Sequence, residues 1–429
     1  MKILENPNYE ELLEALKRPA LQEEDLEDLV KSIFNDIAKN GDSAVKKYAE
    51  KFDGFNGTDF YVTSEEFETA KKQVPEDLKL AIEKAAKNIS RFHSSQKEET
   101  EKVETTLGIQ CWRKSVGVEK VGLYIPGGTA PLFSTVLMLG IPAKLAGCKE
   151  IILASPAGNK EIHPAILYAA DLIGIKKVLK VGGIQAIGAL SIGTNSIPKV
   201  YKIFGPGNQY VTAAKQFAQR KGTAIDMPAG PSELMVVADE TAIPEFVAAD
   251  LLSQAEHGID SQVILVCTDT ETALKCKKAV EQQLEELPRK EIAKKALEFA
   301  RIIIVESGEL VKIINEYGPE HLIICTKDKD QIAEQVINAG SVFLGNFTPE
   351  SLGDYASGTN HTLPTNGFSK MYSGVSLDSF IKKITFQEAS DVGLRNIGQT
   401  VEKMAQAEEL FAHKNAVTIR LKNMENEKL

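Results

Sequence analysis

The histidines are the residues best suited to proton transfer or metal binding, because a neutral imidazole can accept a proton near neutral pH and can coordinate a metal. Only six occur in the chain. Glu320 directly precedes His321, just before a predicted strand. We expect adjacent side chains on a loop to point in different directions, which suits two proton-transfer tasks better than one shared metal site. Taken alone, the pair is better explained as part of a solvated turn.

Two further groups of polar residues could bind a metal or a substrate. Gln254 and His257 end a predicted helix three residues apart, so they share a face and can converge on one point. A histidine at the end of a helix is also stabilised by the helix dipole, and that is the better explanation of His257 alone. Asp354 and His361 lie in a long segment rich in Gly, Pro, Asn and Thr. Long ordered loops of this composition are typical of functional sites.

The remaining short motifs are weak signals. Glu408 and His413 lie five apart on a predicted tail helix, so they share a face only loosely. The spacings typical of zinc sites are absent, and so is the dinucleotide fingerprint, since Gly205-Pro206-Gly207 is followed by Tyr210 where a third glycine is expected. The glycine-rich turns would leave backbone amides free for phosphates at helix starts, although ordinary tight turns explain them better.

Composition limits the classes of protein to consider. A chain of 429 residues with 43% hydrophobic residues can bury a large core, and its length predicts two or three domains. A net charge of -10 argues against a nucleic-acid partner. We find neither a membrane-spanning run nor a signal peptide. The five scattered cysteines predict no disulfide framework and favour the cytoplasm.

The periodicity of apolar residues predicts an α/β protein. Helices are expected at Leu26–Ala38 and Leu78–Phe92, after which strands and helices alternate, as they do in parallel sheets covered on both faces. The predicted strands are Val121–Ile125, Glu150–Ala154, Lys177–Val181, Val200–Phe204, Leu234–Ala238, Gln262–Cys267, Ile302–Val305, Leu322–Cys325 and Val342–Leu344. The predicted helices between or after the first four are Leu132–Ala146, Pro164–Leu172, Ile184–Ile192 and Asn208–Gln219.

These elements predict two layered parallel-sheet units and a separate tail. The turns Pro126-Gly127-Gly128 and Gly205-Pro206-Gly207-Asn208 follow strands, and open parallel sheets bind ligands at the carboxyl ends of their strands. From about Ser376 we expect a helix, Thr400–His413, and a short strand, Ala416–Leu421. This stretch is too small for a core of its own, so it must pack on its own body or on a partner chain.

Several motifs, taken together, closely resemble those of the histidinol dehydrogenase family over nearly the whole chain. They are Tyr124-Ile125-Pro126-Gly127-Gly128, Gly205-Pro206-Gly207-Asn208, Ala229-Gly230-Pro231-Ser232-Glu233, Ser253-Gln254-Ala255-Glu256-His257-Gly258, Gly318-Pro319-Glu320-His321-Leu322, and Asp354-Tyr355 with Gly358-Thr359-Asn360-His361-Thr362-Leu363-Pro364. The order and separation of these motifs are far more specific than any one of them.

The resemblance implies a domain organisation with incomplete Rossmann-like domains, which would account for the missing glycine fingerprint. Residues 1–20 would form an N-terminal helical segment. Residues 21–120 and 231–375 would form a Rossmann-like domain with the zinc and catalytic loops. Residues 121–230 would form a second such domain, which contributes to NAD binding. Residues 376–429 would form a dimerisation tail that packs on the partner subunit.

The resemblance also implies the reaction and its residues. L-histidinol would be oxidised to L-histidine through histidinal, with two NAD+ and one water, in the final steps of histidine biosynthesis. His321 would be the general base and Glu320 would activate water. One zinc per subunit would be held by Gln254, His257, Asp354 and His413, with His413 donated by the other subunit of a homodimer. Substrate would contact Ser232, His361 and Glu408 besides the zinc ligands and His321. NAD would contact Tyr124, Gln185 and Asn208.

The role of zinc and the type of chemistry remain open from the sequence. Four protein ligands fill the usual coordination shell of zinc. Binding two nitrogens of the substrate as well would need about six positions. In that interpretation the metal would anchor the substrate and would not activate its alcohol oxygen. A cysteine, Cys111 or Cys148, could instead trap the aldehyde, although both are better explained by packing. The chain could also be a zinc hydrolase with Glu320 as base, or a non-catalytic protein that binds histidine-like molecules.

Overall fold

A computed structural model describes residues 1–19, 26–55, 57, 59–127, 131–157, 161–228 and 230–426. Gly128 and Ala229, which belong to two of the sequence motifs, lie outside these ranges. The chain divides into a main unit, Met1–Gln96 with Val118–Phe380, and a tail unit, Lys97–Gly117 with Ile381–Leu429.

The described strands and helices alternate through most of the main unit. The strands are β1 (Lys2–Glu5), β2 (Lys102–Thr106), β3 (Ile109–Gly117), β4 (Lys120–Tyr124), β5 (Glu150–Ala154), β6 (Val178–Leu179), β7 (Lys202–Phe204), β8 (Ala224–Ile225), β9 (Glu233–Ala238), β10 (Gln262–Cys267), β11 (Arg301–Ile304), β12 (His321–Cys325), β13 (Ser341–Leu344) and β14 (Ile381–Ala389). The first helices are α1 (Tyr9–Ala15), α2 (Glu27–Asn40), α3 (Asp42–Asp53), α4 (Ser64–Gln73), α5 (Glu76–Ser94), α6 (Phe133–Leu145), α7 (Pro164–Leu172), α8 (Gly183–Ile192) and α9 (Gln209–Arg220). They are followed by α10 (Pro244–Ala255), α11 (Thr270–Glu286), α12 (Lys290–Ala296), α13 (Leu310–Tyr317), α14 (Lys329–Gln335), α15 (Glu350–Tyr355), α16 (Asp391–Ala407) and α17 (Phe411–Asn426).

The larger sheet of the main unit has six parallel strands in the order β1-β11-β10-β9-β12-β13. Its central strands are buried on both faces. Leu234 and Val236 face one apolar cluster, whereas Met235 and Val237 face another, as the alternation of side chains along a strand requires. The predicted N-terminal helical segment, residues 1–20, contains α1 but begins with a strand, because β1 pairs with β11 at the sheet edge before α1 begins.

The smaller sheet also has parallel strands, in the order β6-β5-β4-β7-β8. Helices α2 to α5 share its hydrophobic cluster, which includes Phe34, Ile37 and Leu123. A Cβ on Gly188 of α8 would lie 2.8 Å from Ile37 Cδ1, so α2 packs closely against α8. The resemblance implies that residues 21–120 belong with 231–375, and that division stays a prediction. Within the main unit, the apolar faces of α2 to α5 are buried in the cluster of the smaller sheet.

The tail unit contains an antiparallel sheet in the order β14-β3-β2, together with α16 and α17. The predicted strand Ala416–Leu421 is wrong, because this segment is part of α17. Val417 and Leu421 are four residues apart, and both approach Gly398 of α16 closely. Apolar residues at this spacing share one face of a helix, so packing on α16 overrides their strand propensity.

The described helices and the cysteines bear on the expectations from composition about membrane spans and disulfides. Where the structure describes helices, none combines the length and apolar composition that crossing a membrane requires. The five cysteines all lie in described ranges and are free thiols.

Candidate active site

A cluster of polar side chains forms where parallel strands of the larger sheet begin. Glu233, Gln262 and His321 are the first residues of β9, β10 and β12, and Glu320 directly precedes β12. All four side chains are buried. Open parallel sheets usually bind ligands at the carboxyl ends of their strands, so this cluster lies at the opposite edge from the one that the general rule favours.

The backbone of Glu233 holds both members of the Glu320–His321 pair. Its N–H donates to Glu320 Oε2 at 2.9 Å, and its carbonyl accepts from His321 Nδ1 at 3.2 Å. The Glu320 Oε2 and His321 Nδ1 atoms are 3.6 Å apart. The expectation that the two side chains point in different directions is therefore wrong, because one strand residue binds both of them.

Asp354 and His361 reach the same place from α15 and the segment after it. Asp354 Oδ1 lies 3.5 Å from His321 Nε2. His361 Nδ1 is 2.8 Å from the backbone oxygen of Asp354, and its Nε2 is 3.0 Å from Thr135 Oγ1 on α6. Burial lowers the pKa of His361 and thereby favours its neutral form. The long segment predicted to serve a site thus delivers both residues, although part of it is helical.

His257, Glu350 and Asp354 form a group whose potential ligand atoms all lie within 4.8 Å of one another. The Gln254 amide, in the orientation that satisfies both of its ends, donates to Glu350 Oε1 at 2.6 Å and accepts from the Glu233 N–H at 3.1 Å. Sequence reasoning missed Glu350. Its spacing of four from Asp354, on one face of a short helix, is the signal that could have identified it.

This group fits a divalent cation by charge and by donor type. Burial by itself would lower the pKa of His321, but the nearby carboxylates of Glu320, Glu350 and Asp354 outweigh this effect and raise it. Burial raises the pKa of Glu350, and further negative charges add to this effect. Glu350 Oε2 and His321 Nε2 are buried and make no hydrogen bond within the described part of the chain. Imidazole and carboxylate donors surrounded by excess negative charge are what zinc binds in proteins.

The other predicted substrate residues lie at different places. Ser232 is partly buried just before β9, next to Glu233. Glu408, at the end of α16, and His413, on α17, are exposed and belong to the tail unit, whereas the cluster consists entirely of main-unit residues.

Two of the predicted NAD contacts, Tyr124 at the end of β4 and Gln185 on α8, are buried beside the turn that starts α8. Tyr124 Oη accepts from the Gly183 N–H at 3.1 Å. Asp53 Oδ2 accepts from the Gly182 N–H and from Gln185 Nε2, each at 3.0 Å. The first amides of α8 are therefore satisfied by protein groups. Tyr124 and Gln185 shape this turn and present little surface to a ligand.

Asn208, the third predicted NAD contact, is exposed and caps α9 by accepting from the Val211 N–H at 3.2 Å. The preceding Gly205 donates its N–H to Asp226 Oδ2 at 2.8 Å. The expectation that this turn leaves its amides free is thus wrong at Gly205. At φ 126° only glycine is unstrained there, and a Cβ would lie 2.1 Å from the Tyr124 carbonyl oxygen.

The cysteine alternative finds little support in the surroundings of the two thiols. Burial raises the pKa of Cys148 to about 11, which disfavours the thiolate that would attack an aldehyde. Cys111 lies on β3 in the tail unit.

Known proteins resemble this chain over almost its full length. The family model of histidinol dehydrogenase matches residues 16–421. A histidinol dehydrogenase of Bacteroides thetaiotaomicron is 58% identical over 426 residues, which cover 99% of this chain and 100% of that protein. A histidinol dehydrogenase of Escherichia coli O157:H7 is 51% identical over 410 residues, which cover 95% of this chain and 94% of that protein.

Solved structures give the same picture. The crystal structure of histidinol dehydrogenase from Elizabethkingia anophelis matches with a TM-score of 0.98 and 57% identity, covering 99% of each chain. An acetylating aldehyde dehydrogenase of Geobacillus thermoglucosidasius matches with a TM-score of 0.51 and 14% identity, over 88% of this chain and 94% of that one. The second likeness concerns the fold alone.

Proposed function

The chain belongs to the histidinol dehydrogenase family, and on that premise we propose that it oxidises L-histidinol to L-histidine through histidinal, at the end of histidine biosynthesis. The overall reaction consumes two NAD+ and one water and releases two NADH and three protons. The observation that carries the proposal is the meeting of the buried Glu320–His321 pair with Glu350, the partly buried Asp354 and the exposed His257 in one cluster.

His321 is the general base in this proposal, and its hydrogen bonding supports the role. A carbonyl oxygen only accepts hydrogen bonds, so the bond to Glu233 places a hydrogen on His321 Nδ1. In the neutral ring the lone pair then lies on Nε2, 3.5 Å from Asp354 Oδ1. A cation bound to Asp354 would offset the carboxylate charge that raises the pKa of His321, and would thereby favour this neutral form. His321 Nε2 takes the hydroxyl proton of histidinol while the carbon loses hydride to NAD+, which leaves the aldehyde.

Glu320 serves the second half-reaction. The aldehyde must add water before a second hydride can leave, and a carboxylate next to the base can take a proton from that water. Burial raises the pKa of Glu320, which makes its carboxylate a stronger proton acceptor. The hydrate then loses its second hydride to another NAD+ and becomes the carboxylate of histidine.

Zinc is the metal that we propose for the cluster, one ion per subunit. His257 and Asp354 belong both to the ligand set implied by the family and to the group found here. Gln254 remains a proposed ligand, as the family implies, and its hydrogen bond to Glu350 Oε1 would orient its amide. When bound, the metal supplies a positive charge that anchors the imidazole and amino nitrogens of the substrate.

Further parts of the proposal concern NAD, the subunits and the location. Asn208 contacts NAD, while Tyr124 and Gln185 hold the adjacent turn. The enzyme is a homodimer in which Glu408 and His413 of one subunit complete the site of the other. This sharing explains why two exposed positions of the tail, one at the end of α16 and one on α17, carry chemically useful side chains. The single helix predicted at Thr400–His413 is in fact interrupted between them. The free cysteines suit a cytoplasmic location.

The central experiment follows the absorbance of reduced nicotinamide with purified, zinc-loaded protein and L-histidinol, with and without a chelator. We expect two NADH per histidinol and loss of the activity on chelation. A zinc hydrolase or a binding protein would produce no NADH, and that outcome would refute the proposal.

The shared site is tested by mixing two inactive variants, His321→Ala and His413→Ala. If each active site contains residues of both subunits, a dimer with one copy of each variant has one intact site. Mixing the two variants should then restore part of the activity. If the mixture stays inactive after subunit exchange has been demonstrated, each site is built from a single chain.

A further inference from the structure

Arg18 lies far from any motif that carries chemistry, yet it binds the strand residue that holds the Glu320–His321 pair. Its Nε and Nη2 donate to the two carboxylate oxygens of Glu233 at 2.5 and 2.9 Å. Nη2 also lies 2.9 Å from the Tyr317 carbonyl oxygen, and the guanidinium stacks 4.2 Å from the centre of the Tyr317 ring. The guanidinium is therefore fixed in position by three different groups.

The Glu233 side chain would be costly without this partner. It is 2% exposed, and burying a carboxylate is unfavourable unless it is paired and hydrogen-bonded. Apart from Arg18, its Oε1 accepts from the Asn366 N–H at 2.7 Å. A two-point guanidinium–carboxylate contact fixes both distance and plane, which an ammonium group cannot do.

Glu233 thus connects Arg18, through its side chain, to the Glu320–His321 pair, through its main chain. Its side chain is held by Arg18, and its main chain binds Glu320 through N–H and His321 through C=O. Glu233 is the first residue of β9, where sheet pairing begins, so its main chain has fewer ladder bonds to fix it than a residue inside the strand. Loss of the side-chain contact would let this end of the strand shift.

We propose that Arg18 is a positioning residue, which acts through Glu233 to hold Glu320 and His321 in the geometry of proton transfer. The proposal rests on the function proposed above for this pair. Arg18 makes no hydrogen bond or ion pair with the pair's side chains or with His257, Glu350 and Asp354 among the described residues. Gln254, which also accepts from the Glu233 N–H, is held separately by Glu350, so the effect of Arg18 should fall on the chemical step. A displacement of about 1 Å at reacting groups can lower a rate by roughly 100-fold.

The test compares Arg18→Ala and Arg18→Lys with a matched control, Arg220→Ala. The control removes another arginine–glutamate contact, Arg220 to Glu27 at 2.6 Å, in which both side chains are more than half exposed. For each variant we would measure kcat, KM for histidinol, zinc content and hydrogen exchange of the Glu233 backbone amide. The exchange measurement does not depend on what the protein catalyses.

For Arg18→Ala we expect kcat to fall by roughly 10- to 100-fold, with KM and zinc content nearly unchanged and faster exchange at the Glu233 amide. The kcat of Arg18→Lys should fall less, because lysine keeps the positive charge but cannot make the two-point contact. Added guanidinium ion should restore part of the activity of Arg18→Ala. The control should match the parent protein. Unchanged kcat and exchange in both Arg18 variants would overturn the proposal, as would a loss of zinc parallel to the loss of activity.

The two proposals can fail separately. If the parent protein does not oxidise histidinol, the proposed function is wrong, and the exchange at Glu233 alone decides whether Arg18 positions this strand end. If Arg18→Ala does not fold, the same comparison is made with Arg18→Lys, for which slower turnover and faster local exchange are again required.

Discussion

Lys215 and Asp226 form a buried ion pair whose disruption should measurably destabilise the main unit. Lys215 Nζ lies 2.5 Å from Asp226 Oδ1, and their side chains are 3% and 2% exposed. Lys215 also donates to the Gly205 carbonyl oxygen at 2.8 Å, while Asp226 accepts the Gly205 N–H. The substitution Lys215→Met keeps a long unbranched chain in this space, so it removes the charge and leaves little cavity.

The expected cost follows from what Asp226 retains. Removing one partner of a buried pair typically costs about 3–5 kcal/mol, because the other charge stays buried without compensation. Here Asp226 keeps two backbone donors, the N–H groups of Gly205 and Met227, each at 2.8 Å. We therefore expect the lower end of the range, about 3 kcal/mol of unfolding free energy.

Urea unfolding followed by far-ultraviolet circular dichroism measures this cost. The control is Lys327→Met, which removes an exposed pair with Glu240 at 3.1 Å and should cost less than about 1 kcal/mol. The double variant Lys215→Met/Asp226→Asn should recover part of the loss, because no charge then stays buried alone. A cost for Lys215→Met no larger than that of the control, or a double variant less stable than the single one, would show that uncompensated charge is not the cause.

Three further predictions concern the cluster. His321→Ala should lower turnover severely and leave zinc content intact, because His321 acts as base; loss of the metal, measured by elemental analysis, would contradict this separation. His257→Ala should lower both zinc content and affinity for histidinol, and a fully loaded variant would exclude His257 as a ligand. Cys111→Ala and Cys148→Ala should each retain steady-state activity, and an inactive variant would indicate a covalent thiohemiacetal in place of direct hydration.

Local sequence patterns were enough to predict most of the helices and strands. Glu150–Ala154 and Gln262–Cys267 have the predicted bounds, because short apolar runs bordered by polar residues specify buried strands locally. The Glu320–His321 pair could also be identified as a candidate from the sequence, because the two residues are neighbours in the chain. Local patterns failed at Ala416–Leu421, where contact with another helix determines the conformation.

Which charged groups lie in contact depends on how distant parts of the chain pack. Arg18 and Glu233 are 215 positions apart, and neither has a local pattern that predicts their contact. The same holds for the hydrogen bond between Gln254 and Glu350, and for the position of the cluster where strands begin. Helical and strand periods depend on neighbours a few residues away. The energy of a buried charge depends instead on which distant groups exclude water from it and compensate it, and only the folded chain brings those groups together.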